Sequence, residues 1–298
     1  MNKTLKTISD GMAKVVEAAS KTTVQVSGRR RQPASGVIWS ADGYVITAAH
    51  VLPRKQAPKI MLADGSEHDA KIVGADMSTD LALLKVEASG LAVPNWANID
   101  DVKVGQMVLA VARPTKEVQS TMGIISAKAG GWRTSAGGGI DHYIQTDVLM
   151  YPGFSGGPLT AVDGSYVGLN SSALARGVSV TVPPSTLERV ANSLLAHGEV
   201  KRGYLGIKTQ PVRLPEAIAK EISQETGLLL AGVEPGGPAE TSGLLVGDII
   251  VTFNDKAIRQ PDDLLAELAS TPAGQKNPAR IVRGGQLSDV QVTAGAKA

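Results

Sequence analysis

Cysteine is absent from the 298-residue chain, which excludes disulfides, zinc–thiolate sites, iron–sulfur clusters and a cysteine nucleophile. Stability and any catalysis must therefore come from packing and from Ser, His, Asp, Glu or Lys, and no metal or cofactor is expected. No run of 18 apolar residues occurs, so no transmembrane helix is expected. The first residues, Met1 to Asp10, carry charges but lack the apolar centre of a secretory signal. The expectation is a cytoplasmic chain, or a periplasmic one from which a leader has been removed. Glycine has no period, and 43% hydrophobic residues are too many for a chain that stays disordered, so collagen-like and low-complexity classes fall away.

Aromatic residues are few, 3 Trp, 5 Tyr and 2 Phe, against 33 Gly and 16 Pro. That balance favours tight turns between short strands over long helices. The net charge of +2 hides a basic N-terminus, since residues 1–31 hold seven basic and two acidic side chains, densest at Arg29-Arg30-Arg31. With no aromatic residue among them, these arginines read as a solvated loop, and no nucleic-acid partner is expected.

Apolar spacing predicts a helix over 9–19, capped by Ser9, with Met12, Val15, Val16 and Ala19 on one face. Short runs rich in Val and Ile then follow one another from Thr23 to Val182, separated by turn pairs such as Asp42-Gly43, Asp64-Gly65 and Asp163-Gly164. Such a series reads as an antiparallel barrel or sandwich, with two packed barrels favoured. Pro183-Pro184-Ser185 opens a helix that Gly198 stops, and this marks a domain end. The expected organisation is a first domain at 1–198 with a helical segment at 1–20, a linker at 199–202, and a small α+β domain at 203–298. In the last of these, a helical pattern over Asp262–Ala269 sets Leu264, Leu265 and Leu268 along one side.

Three segments of the strand-rich part carry candidate chemistry. Thr47-Ala48-Ala49-His50-Val51 places a histidine at the end of an apolar strand, and Thr79-Asp80-Leu81 places an aspartate at the mouth of another. Pro152-Gly153-Phe154-Ser155-Gly156-Gly157 surrounds a serine with small residues that permit positive φ and close backbone approach, as a nucleophile loop presenting N–H donors requires. Singly, each reads as an ordinary strand-end or turn residue. Jointly, the order His, Asp, Ser on an all-β half is that of the chymotrypsin fold, and differs from the orders of subtilisin and the α/β-hydrolases.

Thr-Ala-Ala-His at 47–50, Asp-Leu-Ala-Leu-Leu-Lys-Val at 80–86, Gln-Thr-Asp at 145–147 and Gly-Phe-Ser-Gly-Gly-Pro-Leu at 153–159 resemble the HtrA (DegP-type) trypsin-like serine proteases. The resemblance continues through Arg202-Gly203-Tyr204-Leu205-Gly206-Ile207, Glu234-Pro235-Gly236-Gly237-Pro238-Ala239 and Val246-Gly247-Asp248-Ile249-Ile250, which look like the PDZ domain of such proteases. It implies a mainly β fold, a chymotrypsin-like double β-barrel followed by a small α+β PDZ domain, and serine endopeptidase activity on unfolded or misfolded proteins. Ser155 would be the nucleophile, His50 its base and Asp80 the partner orienting the imidazole. Gly153, Phe154 and Ser155 would supply oxyanion-hole N–H groups. By the same resemblance the S1 pocket would be lined by Leu149, Met150, Val178 and Val180, without a carboxylate, so a small apolar P1 residue is expected. Tyr204, Leu205, Gly206 and Ile207 would capture a peptide's C-terminal carboxylate, with Leu264, Leu265 and Leu268 walling an apolar pocket for hydrophobic C-termini. The resemblance also implies a homotrimer. Phe154 stands where such enzymes usually have Asn, and Ala112-Arg113-Pro114-Thr115-Lys116 replaces a Gly-Asn-Pro-Phe-Gly-like turn. The first departure frames an alternative expectation, a proteolytically silent chaperone or peptide-binding scaffold.

Overall fold

The computed structural model describes residues 3–27, 32–53, 57–175, 177–200, 202–271 and 273–297. The Arg29–Arg31 run lies outside them. The chain divides into two compact units, Met1–Val200 and Lys201–Ala298.

The first unit opens with α1 (Lys3–Ser20), longer than the expected helix. Leu5 and Ile8 continue the apolar stripe of Met12, Val15 and Val16, and a Lys6–Asp10 ion pair at i, i+4 supports the added turns. Ser9 consequently lies inside the helix and caps nothing. Six strands follow: β1 (Thr23–Ser27), β2 (Ala34–Ile38), β3 (Tyr44–Ala48), β4 (Lys59–Met61), β5 (Glu67–Asp76) and β6 (Leu81–Val86). They close an antiparallel barrel in the order β1-β2-β3-β6-β5-β4. Next come β7 (Met107–Ala112), β8 (Gln119–Ala129), a small hairpin of β9 (Trp132–Arg133) and β10 (Gly139–Ile140), β11 (Tyr143–Thr146), β12 (Pro158–Ala161), β13 (Tyr166–Ser171) and β14 (Ser179–Val182). Apart from the hairpin these close a second barrel, β11-β14-β13-β12-β7-β8.

Each barrel has its own apolar filling, Val24, Val45, Ile60 and Leu84 in the first and Val108, Ile125, Ile144 and Leu159 in the second. A third cluster joins the barrels to the helices through Ile46, Leu83, Val111, Leu169, Ala19 and Leu187. The helix α2 (Pro184–His197) has Pro at its first position and ends at Gly198, whose φ of 73° lets its N–H reach the Leu194 carbonyl.

The second unit comprises β15 (Arg202–Tyr204), β16 (Ile207–Arg213), α3 (Glu216–Ile222), β17 (Thr226–Val233), α4 (Pro238–Thr241), β18 (Ile249–Phe253), β19 (Lys256–Ala257), α5 (Pro261–Ser270), β20 (Lys276–Arg283), β21 (Gln286–Thr293) and β22 (Gly295–Lys297). Its main sheet runs β16-β17-β18-β20-β21, with β19 on β18, so β16 is an edge strand. β15 and β16 are separate strands because Gly206, at φ 72°, breaks the run between them.

Candidate active site

His50 sits in a single 3-10 turn, Ala49–Val51, immediately after β3, and Asp80 lies directly before β6, the strand paired with β3. Adjacent strands thus deliver both side chains to one end of the first barrel. The Asp80 backbone is left-handed at φ 55°, a conformation Asp tolerates at a cost of about 1 kcal/mol. The turn before it is built on Asp76, whose carboxylate accepts from Ser78 N–H and Oγ and from Thr79 Oγ1. Asp80 is buried and saturated: Oδ1 accepts from the His50 backbone N–H at 2.8 Å, and Oδ2 lies 2.7 Å from His50 Nδ1 and accepts from Ser171 Oγ at 2.5 Å. A carboxylate there holds the proton on Nδ1 and leaves Nε2 with its lone pair free as an acceptor.

Ser155 and His50 line the same cavity, of about 430 Å³, with Gly153, Met150, Tyr151, Pro152 and Ser172. In this conformation the Ser155 hydroxyl bonds to Ser172, 2.9 Å from its Oγ and accepting from its N–H at 3.2 Å. Two glycines explain the close packing of the loop. A Cβ on Gly156, at φ 86°, would lie 2.0 Å from the Ser35 carbonyl oxygen, and one on Gly157 would lie 2.2 Å from that of Val111.

The N–H groups from Gly153 to Gly157 divide cleanly. Phe154 donates to the Tyr151 carbonyl at 3.1 Å, Gly156 to Asn170 at 2.8 Å and Gly157 to Phe154 at 3.0 Å. Those of Gly153 and Ser155 have no acceptor among the described residues, and both residues border the cavity. Two unpaired donors beside the hydroxyl form the arrangement an oxyanion needs. Phe154 was expected to be a third donor; that expectation is corrected, because its N–H closes the turn Tyr151-Pro152-Gly153-Phe154. Its ring is fully buried in the second barrel and meets Tyr151 edge-on, centroids 5.9 Å apart.

The residues expected to line S1 are dispersed in the structure. Among Leu149, Met150, Val178 and Val180, only Met150 borders the cavity. Val180 is fully buried because its position in β14 turns it into the core shared by the barrels, and Val178 packs against that core half-buried. Leu149 is 57% exposed, its carbonyl accepting from Thr121 Oγ1. Val26, Pro33, Ala34 and Val51 also line the cavity that holds His50 and Ser155.

In the second unit, Tyr204 ends β15 and donates to Glu234, and the Leu205 and Gly206 N–H groups have no acceptor among the described residues. Ile207 begins the edge strand β16 and is half-buried. Of the three leucines expected to wall a pocket, Leu264 and Leu268 are buried core beside Leu205 and Phe253, since positions i and i+4 of α5 face inward; Leu265 is 45% exposed. The residues that sequence reasoning missed are Ser171 on Asp80, Ser172 on Ser155, and Ser35, which bonds to the nucleophile loop through its N–H and its hydroxyl.

Residues 34–169 match the family of trypsin-like peptidase domains, and residues 230–283 match the PDZ domain family. A protein of Ectopseudomonas mendocina named probable periplasmic serine endoprotease DegP-like is 39% identical over 277 residues, covering 90% of this chain and 58% of that protein. The chain thus spans little more than half the length of the curated relatives it matches. Among solved structures, the serine endoprotease from Yersinia pestis superposes with a TM-score of 0.78 at 31% identity, covering 96% of this chain and 98% of that one. The HtrA-type protease AlgW with tripeptide does so with a TM-score of 0.77 at 31% identity, covering 96% and 97%. With the His50–Asp80 pair and the paired donors at Gly153 and Ser155 in place on two six-stranded barrels, the chain belongs to the HtrA-type, DegP-like serine proteases, with a trypsin-like peptidase domain and a PDZ domain.

Proposed function

We propose that the chain is an endopeptidase that cleaves unfolded or misfolded proteins through an acyl-enzyme on Ser155. The hydroxyl turns from Ser172 toward His50 Nε2, gives up its proton there, and attacks the scissile carbonyl. The oxyanion collects on the Gly153 and Ser155 N–H groups, each worth about 3 kcal/mol in the transition state. Asp80, already bonded to Nδ1, stabilises the imidazolium, which then protonates the leaving amine; water repeats the sequence to release the acyl group. The observation that carries this reading is the pair of unpaired donors next to Ser155, on the cavity that also holds His50.

A small apolar P1 residue fits a cavity whose lining includes no carboxylate. In the PDZ unit, the unpaired Leu205 and Gly206 N–H groups beside an edge strand suit capture of a hydrophobic-ended peptide by its C-terminal carboxylate, with Leu265 at the surface of α5. A periplasmic location is supported by the relatives' names; a homotrimer rests on family resemblance, and sedimentation equilibrium tests it.

Casein digestion is the direct assay. Ser155→Ala should keep the melting temperature of the parent and lose both turnover and labelling by a fluorophosphonate. Parent-like turnover in that variant would overturn the assignment. Peptide binding should survive in Ser155→Ala and vanish when the peptide's C-terminus is amidated.

A further inference from the structure

Ser35 and Arg113 have no place in the chemistry above, yet both reach the oxyanion turn from buried positions. Ser35 is fully buried in β2 and all of its polar atoms are engaged. Its N–H donates to the Ser155 carbonyl at 3.2 Å, and its carbonyl accepts from Thr47 Oγ1 at 2.6 Å. Its hydroxyl accepts the Arg113 backbone N–H at 2.8 Å and lies 2.8 Å from the Gly153 carbonyl. The direction of this relay is forced: an amide N–H only donates and a carbonyl only accepts, so the hydroxyl proton must point at Gly153.

The consequence falls on one peptide unit. The plane joining Gly153 to Phe154 is held at its carbonyl by Ser35 and at its N–H by Tyr151. Because the peptide is planar, those two bonds fix its rotation, and they anchor the chain between the units that carry the Gly153 N–H before it and the Ser155 N–H after it. Those are the two donors left unpaired. Without the Ser35 hydroxyl, Gly153, whose φ of 93° only glycine adopts readily, would have nothing on its carbonyl side to resist rotation.

Arg113 holds the other end. Its guanidinium is turned inward and bonds to main-chain carbonyls, Nε to Thr23 at 2.8 Å, Nη2 to Ser20 at 2.8 Å and Nη1 to Lys116 at 2.6 Å. Ser20 is the last residue of α1, so the cation sits on the negative end of that helix. The neighbouring Pro114 lies so close to Gly153 that an added Cβ there would be 2.5 Å from the Pro114 Cβ.

We infer that Ser35 is a positioning residue for the oxyanion turn, and that Arg113 sets Ser35 by anchoring the loop after β7 to the end of α1. This rests on the acyl-transfer reading above. The structure therefore contains a continuous line from α1 through Arg113 and Ser35 to the Gly153 carbonyl, carried by hydrogen bonds whose members are far apart in sequence.

The test is steady-state hydrolysis of a short fluorogenic peptide, with kcat expressed per site titrated by a fluorophosphonate. Ser35→Ala should lower per-site kcat by about 10- to 100-fold, less than the roughly 100- to 1000-fold of losing a donor outright because the N–H groups are displaced rather than removed, with KM changed less than about twofold. Arg113→Met should lower it about 3- to 10-fold, and Arg113→Lys should restore part of that loss. In the Ser35→Ala background, Arg113→Met should add little, because its effect passes through the missing hydroxyl. Variants that lose titratable sites but keep the parent's kcat per site would show a purely structural role and overturn the inference. Full additivity of the two substitutions would overturn the relay. If the parent itself neither labels nor turns over, the acyl-transfer reading fails instead, so the two failures are distinguishable.

Discussion

Replacing Phe154 by Asn, the residue usual at this place in HtrA-like enzymes, separates two accounts of the departure. If the ring obstructed the oxyanion site, Asn would open it and raise activity. The structure leads to the opposite expectation. Phe154 is fully buried among Val108, Ile125, Ile144 and Leu159, with Tyr151 packed edge-on against it, and only its backbone belongs to the turn. Truncating a buried Phe costs about 3–5 kcal/mol, and an amide left without partners in that setting adds about 1–3 kcal/mol before the site relaxes. A net loss of about 5 kcal/mol corresponds to roughly 10–20 °C in the melting temperature of a unit of this size. Differential scanning calorimetry checks this, and per-site kcat at 20 °C should fall or stay level. An unchanged melting temperature with faster turnover would refute the reasoning and restore obstruction by Phe154.

Gly156 and Gly65 share φ values of 86°, yet a Cβ on Gly156 meets the Ser35 carbonyl and one on Gly65 meets nothing within 4 Å. Gly65→Ala should cost only the left-handed penalty of about 1–2 kcal/mol, whereas Gly156→Ala should cost about 2–5 kcal/mol and abolish fluorophosphonate labelling, both read by urea unfolding and active-site titration. Leu265→Ala should weaken binding of a hydrophobic-ended peptide without moving stability, while Leu264→Ala should cost about 2–5 kcal/mol, separable by calorimetric titration and melting. Burial works against the charge on Asp248, but hydrogen bonds from Arg283 and the Leu245 N–H, with the guanidinium's charge, outweigh it and hold the carboxyl below the ordinary range. A folded-state pKa below the unfolded one stabilises above about pH 4 and is lost as pH falls through the folded value. The PDZ unit should therefore weaken in acid. Asp248→Asn should flatten that dependence and cost about 1–3 kcal/mol at pH 7, as thermal melts across pH 2–7 would show.

The three candidate residues were picked out because their signals are local: a His where an apolar strand ends, an Asp where the next begins, a Ser among glycines. The strands were legible from Val- and Ile-rich runs and their turn pairs. The residues that support the site were not. Ser35 acts on Gly153 from 118 positions away and Ser171 on Asp80 from 91, so nothing in the neighbourhood of either serine marks it. The residues around S1 are hard to read for a different reason. In Val178-Ser179-Val180-Thr181-Val182 valines alternate with Ser and Thr, yet the strand is buried on both faces from Val180 onward, so alternation does not say which residues face a cavity and which face the core. In α5, Leu264, Leu265 and Leu268 fall within one stripe about 100° wide, and only packing decides that Leu265, at its edge, is left outside.

The number of oxyanion donors was within reach of the sequence. Pro at the second position of a four-residue turn and Gly at the third are the marks of type II, in which the fourth residue's N–H returns to the first carbonyl. Tyr151-Pro152-Gly153-Phe154 has that pattern, and Gly153 has the positive φ it requires. The Phe154 N–H is then committed to Tyr151 before any tertiary contact is considered, leaving the Gly153 and Ser155 N–H groups as the donors of the proposed oxyanion site. The same commitment carries the Phe154 Cα over toward the barrel, where a ring gains burial that a polar side chain would not. The turn, the buried ring and the two free N–H groups are thus consequences of one local sequence, and the Ser35 hydroxyl secures the Gly153 carbonyl, which the local sequence leaves unheld.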